Sequence, residues 1–164
     1  MSYIGNSPGA GPTNKIEQGN SSVEVIDAGT GRIEFTTDGT KVAEIDASGN
    51  MKFDSGYGSA ETVYGCRAWV NFNGTGTVAI RDSGNVSSIT DNGTGDYTVN
   101  FTNPMPDANY SVVGAANING GGAGYTFNIY NIGTPYTTSS VRVATDARGS
   151  SLLDLAYINV AIFR

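Results

Sequence analysis

The sequence contains no histidine and a single cysteine, Cys66. Without histidine, the chain lacks the commonest general base and the commonest metal ligand of proteins. One cysteine excludes an internal disulfide and any zinc site built from several cysteines. Catalytic arrangements that join histidine to serine or cysteine are therefore impossible, and only chemistry by carboxylates alone stays open. We predict that the chain is not an enzyme, and that it has no cofactor and no bound metal.

Basic residues are also few. Nine lysines and arginines against fifteen acids give a net charge of −6, and the only lysines are Lys15, Lys41 and Lys52. Nucleic-acid binding needs a basic patch, so we expect no nucleic-acid partner. The sequence has no run of about 20 apolar residues, so we expect no membrane insertion. The first twelve residues lack the positive and apolar segments of a secretory signal peptide, so we expect none.

Glycine and small polar residues are abundant instead. Glycine fills 23 of 164 positions, while charged residues make up only 15%. The first segment, residues 1–22, is rich in Gly, Asn, Ser and Pro. It cannot bury enough apolar surface to offset the entropy of ordering it. We therefore predict either a flexible tail or a peptide that becomes ordered on a partner.

Residues 23–62 form a second segment, in which short strand-like runs alternate with turns and a linker follows at 54–62. The runs are Val23–Ile26, Arg32–Phe35, Val42–Ile45 and Met51–Phe53. Charged side chains fall on one face of these runs, so the other face needs a cover. Small isolated sheets are marginally stable in water. The simplest cover is the same segment of neighbouring chains, which predicts an intertwined or stacked β segment.

Residues 63–164 form a third segment with period-2 alternation over eight to ten short strands. This pattern predicts an antiparallel β-sandwich, jelly-roll-like in architecture. The last run, Leu152–Phe163, is apolar on both faces and is rich in residues that favour strands. It therefore predicts a central strand or a subunit contact.

Several stretches of the third segment resemble the C-terminal domain of bacteriophage tail fibres, particularly those of phages of cyanobacteria and marine bacteria. They are Ala68–Thr77, Gly84–Phe101, Met105–Tyr110 and Ala161–Arg164. Upstream, Thr37–Thr40 and Ile45–Asn50 are similar to turn repeats that precede such tips. Ser2–Pro8 is similar to the start of short fibres.

The resemblance implies a homotrimer located in the virion, in the phage tail. Residues 1–22 would be an N-terminal arm that attaches to the tail or baseplate, residues 23–62 a short β shaft with its linker, and residues 63–164 a C-terminal knob. The knob would bind a host-surface glycan such as lipopolysaccharide. Candidate residues for virion attachment are Tyr3, Ile4, Pro8, Pro12 and Ile16. A capsid or tail decoration protein that stabilises the particle is the alternative function.

Four aromatic residues are candidates for receptor contact. Trp69, the only tryptophan, offers a flat ring on which a sugar can stack, or else packs in the trimer interface or against the second sheet layer. Tyr125, Tyr130 and Tyr136 flank glycine- and proline-containing loops. They offer a rigid aromatic surface for a receptor, or else form ordinary cross-strand pairs.

Other polar groups have simpler interpretations. Asp91–Asp96 has oxygen ligands but lacks the spacing of an EF-hand, so we predict a hairpin turn there. Cys66 is predicted to be a small buried hydrophobic residue. A carboxylate pair for glycan cleavage would have to come from aspartates, because no glutamate follows Glu61. The candidates are Asp82, Asp96, Asp107, Asp146 and Asp154.

Overall fold

The computed structural model describes residues 15–26, 31–56, 59–118, 124–130, 133–147 and 151–164. The chain divides into two compact units, Met1–Val63 and Tyr64–Arg164. All regular structure in the described residues consists of antiparallel β-strands. The all-β prediction is therefore confirmed. Across these described ranges, no helix is long and apolar enough to cross a membrane.

The first unit is one six-stranded sheet in which each strand pairs with the next along the chain. Its strands are β1 (Lys15–Gln18), β2 (Ser21–Ile26), β3 (Arg32–Thr37), β4 (Thr40–Ile45), β5 (Met51–Phe53) and β6 (Glu61–Thr62). The four predicted runs lie within β2 to β5. Strand β1 lies where the sequence pattern suggested an arm, and β6 where it suggested a linker. Both strands pair with their neighbours in the same chain.

The second unit contains two sheets. The front sheet has the order β11–β15–β7–β8, and the back sheet has the order β12–β13–β10–β9, with β14 paired to β13. The strands are β7 (Cys66–Asn73), β8 (Ala79–Gly84), β9 (Val86–Gly93), β10 (Asp96–Phe101), β11 (Ser111–Asn117), β12 (Tyr125–Ile129), β13 (Ser140–Ala147), β14 (Ser151–Leu152) and β15 (Tyr157–Phe163). Alternate side chains of both sheets form one shared core, as in a β-sandwich.

The core of the sandwich is built from inward-facing aliphatic and aromatic side chains. Phe72, Ile158 and Ile162 of the front sheet are fully buried, as are Tyr97 and Val143 of the back sheet. The rings of Phe72 and Tyr97 meet edge to face, with their centroids 5.2 Å apart. Because every described residue of this core belongs to the second unit, the sandwich has its own source of hydrophobic stability.

The strand order corrects the jelly-roll prediction. β7–β8, β9–β10 and β12–β13 are hairpins that stay within one sheet, whereas strands of a jelly roll mostly alternate between its two sheets. One described crossing between the sheets is at Asn85, which lies between β8 and β9 at a φ of 56°. Its amide donates to the carbonyl oxygens of Arg67 and Asn103 and holds this corner.

The last apolar run is not one continuous strand. β14 ends at Leu152 and β15 begins at Tyr157, and Leu155 between them is fully buried in the core. Strand β15 then lies between β11 and β7 in the front sheet. The prediction of a central strand is therefore confirmed for Tyr157–Phe163 only.

Candidate functional site

One face of the N-terminal sheet is apolar and exposed. We define this apolar sheet face by residues that the strand register places side by side: Ile16, Val23, Val25, Ile33, Phe35, Ala43, Ile45, Met51 and Phe53. Val25 is 48% exposed and Met51 is 57% exposed. A sheet normally buries such a face against another layer. The large apolar side chains that the structure describes on this face are therefore left largely open to solvent.

The attachment candidates divide between described and undescribed residues. Ile16 lies in β1, opposite Val23, and is 63% exposed on the apolar sheet face. Tyr3, Ile4, Pro8 and Pro12 lie outside the residues that the structure describes. Ile16 is therefore the attachment candidate whose position the structure describes, and that position is in the sheet.

The opposite face of the same sheet carries charges that are paired with one another. Glu44, nearly buried, accepts a hydrogen bond from Lys41 at 2.8 Å, which lowers its pKa. Lys52 lies 3.5 Å from Glu44 and 3.0 Å from Asp46. Arg32 donates to Glu34 at 2.7 Å. The prediction that charges collect on one face is confirmed. Two of these pairs lie within one strand, and Lys52 joins β5 to Glu44 of β4.

Trp69 lies on the outer surface of the front sheet, which we call the front face. The strand register places Val113, Ala161, Trp69 and Gly84 side by side across the four strands. A Cβ on Gly84 would clash with the indole Nε1, so the ring lies against the backbone of β8. Trp69 is still 42% exposed. A flat aromatic surface is therefore open to solvent on this sheet.

A polar band lies beside the Trp69 row. The Asn71 amide donates to the Asn159 side chain at 2.5 Å, across β7 and β15. Arg81 donates to the Ala156 carbonyl at 2.6 Å, and its guanidinium lies 4.5 Å from the centroid of the Tyr157 ring. Tyr157 is 40% exposed. The front face thus has two exposed aromatic rings with amide and guanidinium groups between them.

Sequence reasoning missed Tyr157 and Arg81. The sequence pattern places Tyr157 in an apolar run, Leu152–Phe163, for which we expect a central strand or a subunit contact. The available signal was the period-2 contrast within β15, where Tyr157 and Asn159 alternate with the buried Ile158 and Val160. Arg81 had no such signal, because its contact with Tyr157 joins residues that are 76 positions apart and depends on the fold.

A pocket of about 380 Å³ lies at one end of the front face. It is lined by Tyr64, Asn109, Ser111, Phe163 and Arg164. Ser111 and Phe163 pair directly, two positions along their strands from the pair Val113 and Ala161. The pocket is therefore one row of side chains, about 7 Å, from the Trp69 row.

The two sheets of the sandwich differ in charge. The front-sheet strands contain two arginines, Arg67 and Arg81, and one carboxylate, Asp82. In the back sheet Arg142 forms a two-point ion pair with Asp96, and two further aspartates are present. Among the described residues, no carboxylate lies within ion-pair distance of Arg67 or Arg81. Of the sandwich arginines that the structure describes, the two on the front face are therefore the ones without a carboxylate partner.

The structure does not bring the three candidate tyrosines together. Tyr130 lies on the outer surface of the back sheet, with the Arg142 guanidinium 5.2 Å from its ring centroid. Tyr125 packs against the core. Tyr136 also packs there, 5.3 Å from the ring of Tyr110. None of the three shares a surface with Trp69, and receptor contact by them stays a prediction.

The aspartates considered for glycan cleavage are mostly engaged in structural contacts. Asp154 accepts hydrogen bonds from the Tyr97 hydroxyl and the Gly95 amide. Asp107 is held by Arg164, which lowers the pKa of that carboxyl group. Asp146 accepts from Asn128 at 2.6 Å. Within the described ranges, no group of three or more histidine, cysteine, aspartate or glutamate side chains is placed to hold a metal ion.

Two smaller predictions have different outcomes. Asp91–Asp96 forms the β9–β10 hairpin turn, as expected, and Asp91 accepts a hydrogen bond from the Gly93 amide. The prediction that Cys66 is buried was wrong, because the residue is exposed at the first position of β7. A register shift next to Phe163 interrupts the alternation there, so period-2 reasoning fails at this end of the strand.

Comparisons with protein-family models, with curated proteins and with solved structures found no match to this chain. The likeness to phage tail fibres therefore stands on the sequence stretches quoted above.

Proposed function

We propose that the chain is a structural and adhesive protein of a phage tail, a homotrimeric fibre that binds a glycan on the host surface through its C-terminal sandwich. The observation that carries this proposal is the contrast between its two units. The sandwich has its own core, whereas the N-terminal sheet leaves its apolar face exposed. The first is suited to presenting a binding surface and the second to joining copies of the chain.

Copies of the same sheet are the occupant that best fits the apolar sheet face. The charges of this unit are paired on its other face, so burial of the apolar face would leave the ion pairs described there in solvent. Burial of exposed valine, isoleucine, methionine and phenylalanine side chains contributes about 25 cal/mol per Å² of apolar area. The resemblance to trimeric fibres favours three copies, with three apolar faces meeting around one axis.

Adhesion by such a protein works through valency. Each trimer carries three sandwiches, and several fibres on one particle multiply weak single contacts into stable attachment. The front face supplies the candidate contact surface, because it combines exposed aromatic rings with polar side chains. Polar, aromatic-rich surfaces of this kind bind hydroxyl-rich ligands without large ordering costs.

The experiment that tests the assembly is the mass of the purified chain by light scattering, compared with a variant of the apolar sheet face. We expect one species near three times 17.0 kDa. Val25→Asp places a carboxylate on the apolar face and should shift the mass towards one chain, because an unpaired charge would become buried in the interface. Thr62→Asp places the same charge beside Lys52 on the other face and should leave the mass unchanged.

Adsorption to cells then separates the two functions considered. The purified trimer should bind host cells or their extracted envelope glycan and should compete with phage adsorption. A trimer that binds phage capsids or tails but no host glycan would favour the decoration function. A folded, monomeric wild-type chain would overturn the proposed assembly.

A further inference from the structure

We infer that the front face is a binding site for an acidic saccharide, with Trp69 as the stacking platform and Arg67 and Arg81 as the charge-recognising groups. This inference rests on the proposed function and specifies its ligand. It names the class of glycan and the surface of the sandwich that binds it.

The position of Trp69 is suited to stacking. The indole is supported from below by Gly84, and its neighbour across the strand, Ala161, is small. A large side chain in Ala161's place would crowd the ring. An exposed ring held flat on a rigid sheet offers its face to the CH groups of a sugar at little entropic cost. Trp69 therefore has the geometry of a platform rather than that of a core residue.

The polar band supplies hydrogen bonds for the groups at the edge of a sugar ring. Asn71 and Asn159 are bonded to each other and keep further donor and acceptor capacity towards solvent. Arg81 donates through one amino group to the Ala156 carbonyl and through the other to the Asn71 side-chain oxygen at 3.4 Å, and its guanidinium lies over Tyr157. The donors are thus positioned before a ligand arrives, which lowers the entropy lost on binding.

Charge selects the acidic class of saccharide. The front-sheet strands carry two cations and one acid, in a chain whose net charge is −6. Arg142 and Arg164 are neutralised by aspartates, whereas Arg67 and Arg81 have no carboxylate within ion-pair distance in the described part of the chain. A guanidinium binds a carboxylate or phosphate through two parallel hydrogen bonds. Unneutralised arginines beside an open aromatic ring therefore favour a sugar with such a group.

The dimensions of the site fit several sugar units. Tyr157 lies opposite the end of β7, about four residues or 13 Å along that strand from Trp69. The pocket lined by Tyr64 and Phe163 extends the same face by a further row in the other direction. A linear oligosaccharide that lies along the strands would therefore contact both aromatic rings and the polar band.

Trp69 also provides the measurement, because it is the only tryptophan in the chain. Its fluorescence is recorded while the intact protein is titrated with acidic oligosaccharides: hexuronate oligomers, sialylated oligosaccharides and phosphorylated oligosaccharides. Each is compared with its neutral counterpart, such as the methyl ester of the hexuronate oligomer. We expect a saturable change with at least one acidic saccharide and at least about tenfold weaker binding of its neutral form.

Variants assign the effect to the front face. Gly84→Ala should lift the indole from the sheet and weaken binding at least about tenfold, as should Trp69→Ala when followed by calorimetry. Arg81→Gln should weaken binding of the acidic form much more than that of the neutral form. Asp82→Asn should strengthen binding of the acidic saccharide severalfold, because it removes the one carboxylate in the front-sheet strands. Thr90→Ala, at an exposed position of β9 in the back sheet, is the control and should change neither binding nor charge preference.

The outcomes separate this inference from the proposed function. If the wild-type protein binds host glycan and the front-face variants bind equally well, the inference is wrong and the proposed function stands. If the neutral and acidic forms bind equally, the charge assignment is wrong. If Trp69→Ala lowers the oligomeric mass, the front face is a subunit interface and the inference fails. If no glycan binds at all, both fail.

Discussion

Tyr97 and Trp69 show how the same kind of side chain serves opposite roles in one sandwich. Tyr97 is fully buried, and its hydroxyl lies 3.1 Å from the Gly74 carbonyl and 2.8 Å from Asp154. Burial raises the pKa of its hydroxyl far above the usual range. Trp69, in contrast, packs one side on Gly84 and leaves the other open. The buried ring stabilises the fold, and the open ring is available for contact with a ligand.

Tyr97→Phe should lower the free energy of unfolding of the sandwich by about 1–3 kcal/mol, because the hydrogen bond to Asp154 is lost while the ring stays in the core. Chemical denaturation measures this change. Tyr130→Phe removes a hydroxyl from the outer surface of the back sheet and should change stability by less than about 0.5 kcal/mol. Equal effects of the two substitutions would contradict the role of the buried hydroxyl.

Asp46 makes the stability of the N-terminal sheet depend on pH. The amide of Asn50, then Lys52, lowers the pKa of this carboxyl group to about 2. A lowered folded-state pKa contributes stability that is present above the unfolded pKa, near 4, and is lost as the pH falls through about 2. Asp46→Asn should therefore destabilise the sheet at pH 7, with a difference from wild type that shrinks between pH 4 and pH 2. Urea denaturation of wild type and variant at pH 7 and at pH values between 4 and 2 measures this difference in stability. A difference that does not change with pH would contradict the role of the Asp46 carboxylate.

At the scale of elements, hairpins that the sequence marks with glycine determine the order of strands in each sheet. The turn before β10 contains Gly95 at a φ of 64°, a conformation that other residues adopt only with strain. A Cβ there would also lie 2.5 Å from the Leu153 nitrogen and the Thr145 oxygen. This glycine is therefore required both by its backbone conformation and by close packing.

Gly95→Ala should lower the free energy of unfolding by at least about 2 kcal/mol, because backbone strain and a clash with two backbone atoms add together. Gly76→Ala is the matched control. Gly76 has a similar φ of 63° but nothing within 4 Å of its Cβ position, so only the strain of about 1–2 kcal/mol applies. Thermal or urea denaturation of both variants measures the difference. Equal losses would show that packing around Gly95 relaxes freely.

The sequence predicted most of the elements, because alternation and turn residues are local signals. Runs such as Val23–Ile26 and the hairpin at Asp91–Asp96 lie where expected. Strands β1 and β6 were missed, since their polar sequences become strands only through pairing with neighbours. The break between β14 and β15 was missed because Leu155 is buried in a non-strand segment.

The front face was predicted only in part. Trp69 was identified by being unique and by lying opposite the apolar side of its strand. Arg81 and Tyr157 join it through contacts between β8 and the start of β15, which no local pattern reveals. Alternation does place Tyr125 and Tyr130, five positions apart, on opposite faces of the back sheet. The packing of Tyr136 against Tyr110 depends on the fold, and no local pattern reveals it.

At the scale of the whole molecule, the two units differ in whether each buries its own apolar side chains. The sandwich buries a continuous core, so a fragment of residues 64–164 should fold alone, unfold in one cooperative step and have the mass of one chain. Circular dichroism, denaturation and light scattering test this. A fragment of residues 1–63 should fold only as an oligomer. An unfolded 64–164 fragment would contradict the independence of the sandwich.

The apolar sheet face also has a consequence for biosynthesis. The N-terminal sheet is synthesised before the sandwich. Its apolar face therefore emerges from the ribosome before another copy of the chain covers it. In the proposed trimer, each sandwich folds within one chain, so the rate of its folding does not depend on protein concentration. Assembly of three N-terminal sheets requires encounters between chains, so its rate does. On refolding from dilute solution, the sandwiches should therefore form long before the N-terminal sheets assemble. The fraction of chains with a folded sandwich but an unassembled N-terminal sheet should fall as the protein concentration rises. In the cell, neighbouring ribosomes on one messenger RNA hold several new chains close together, which shortens the time before their N-terminal sheets meet.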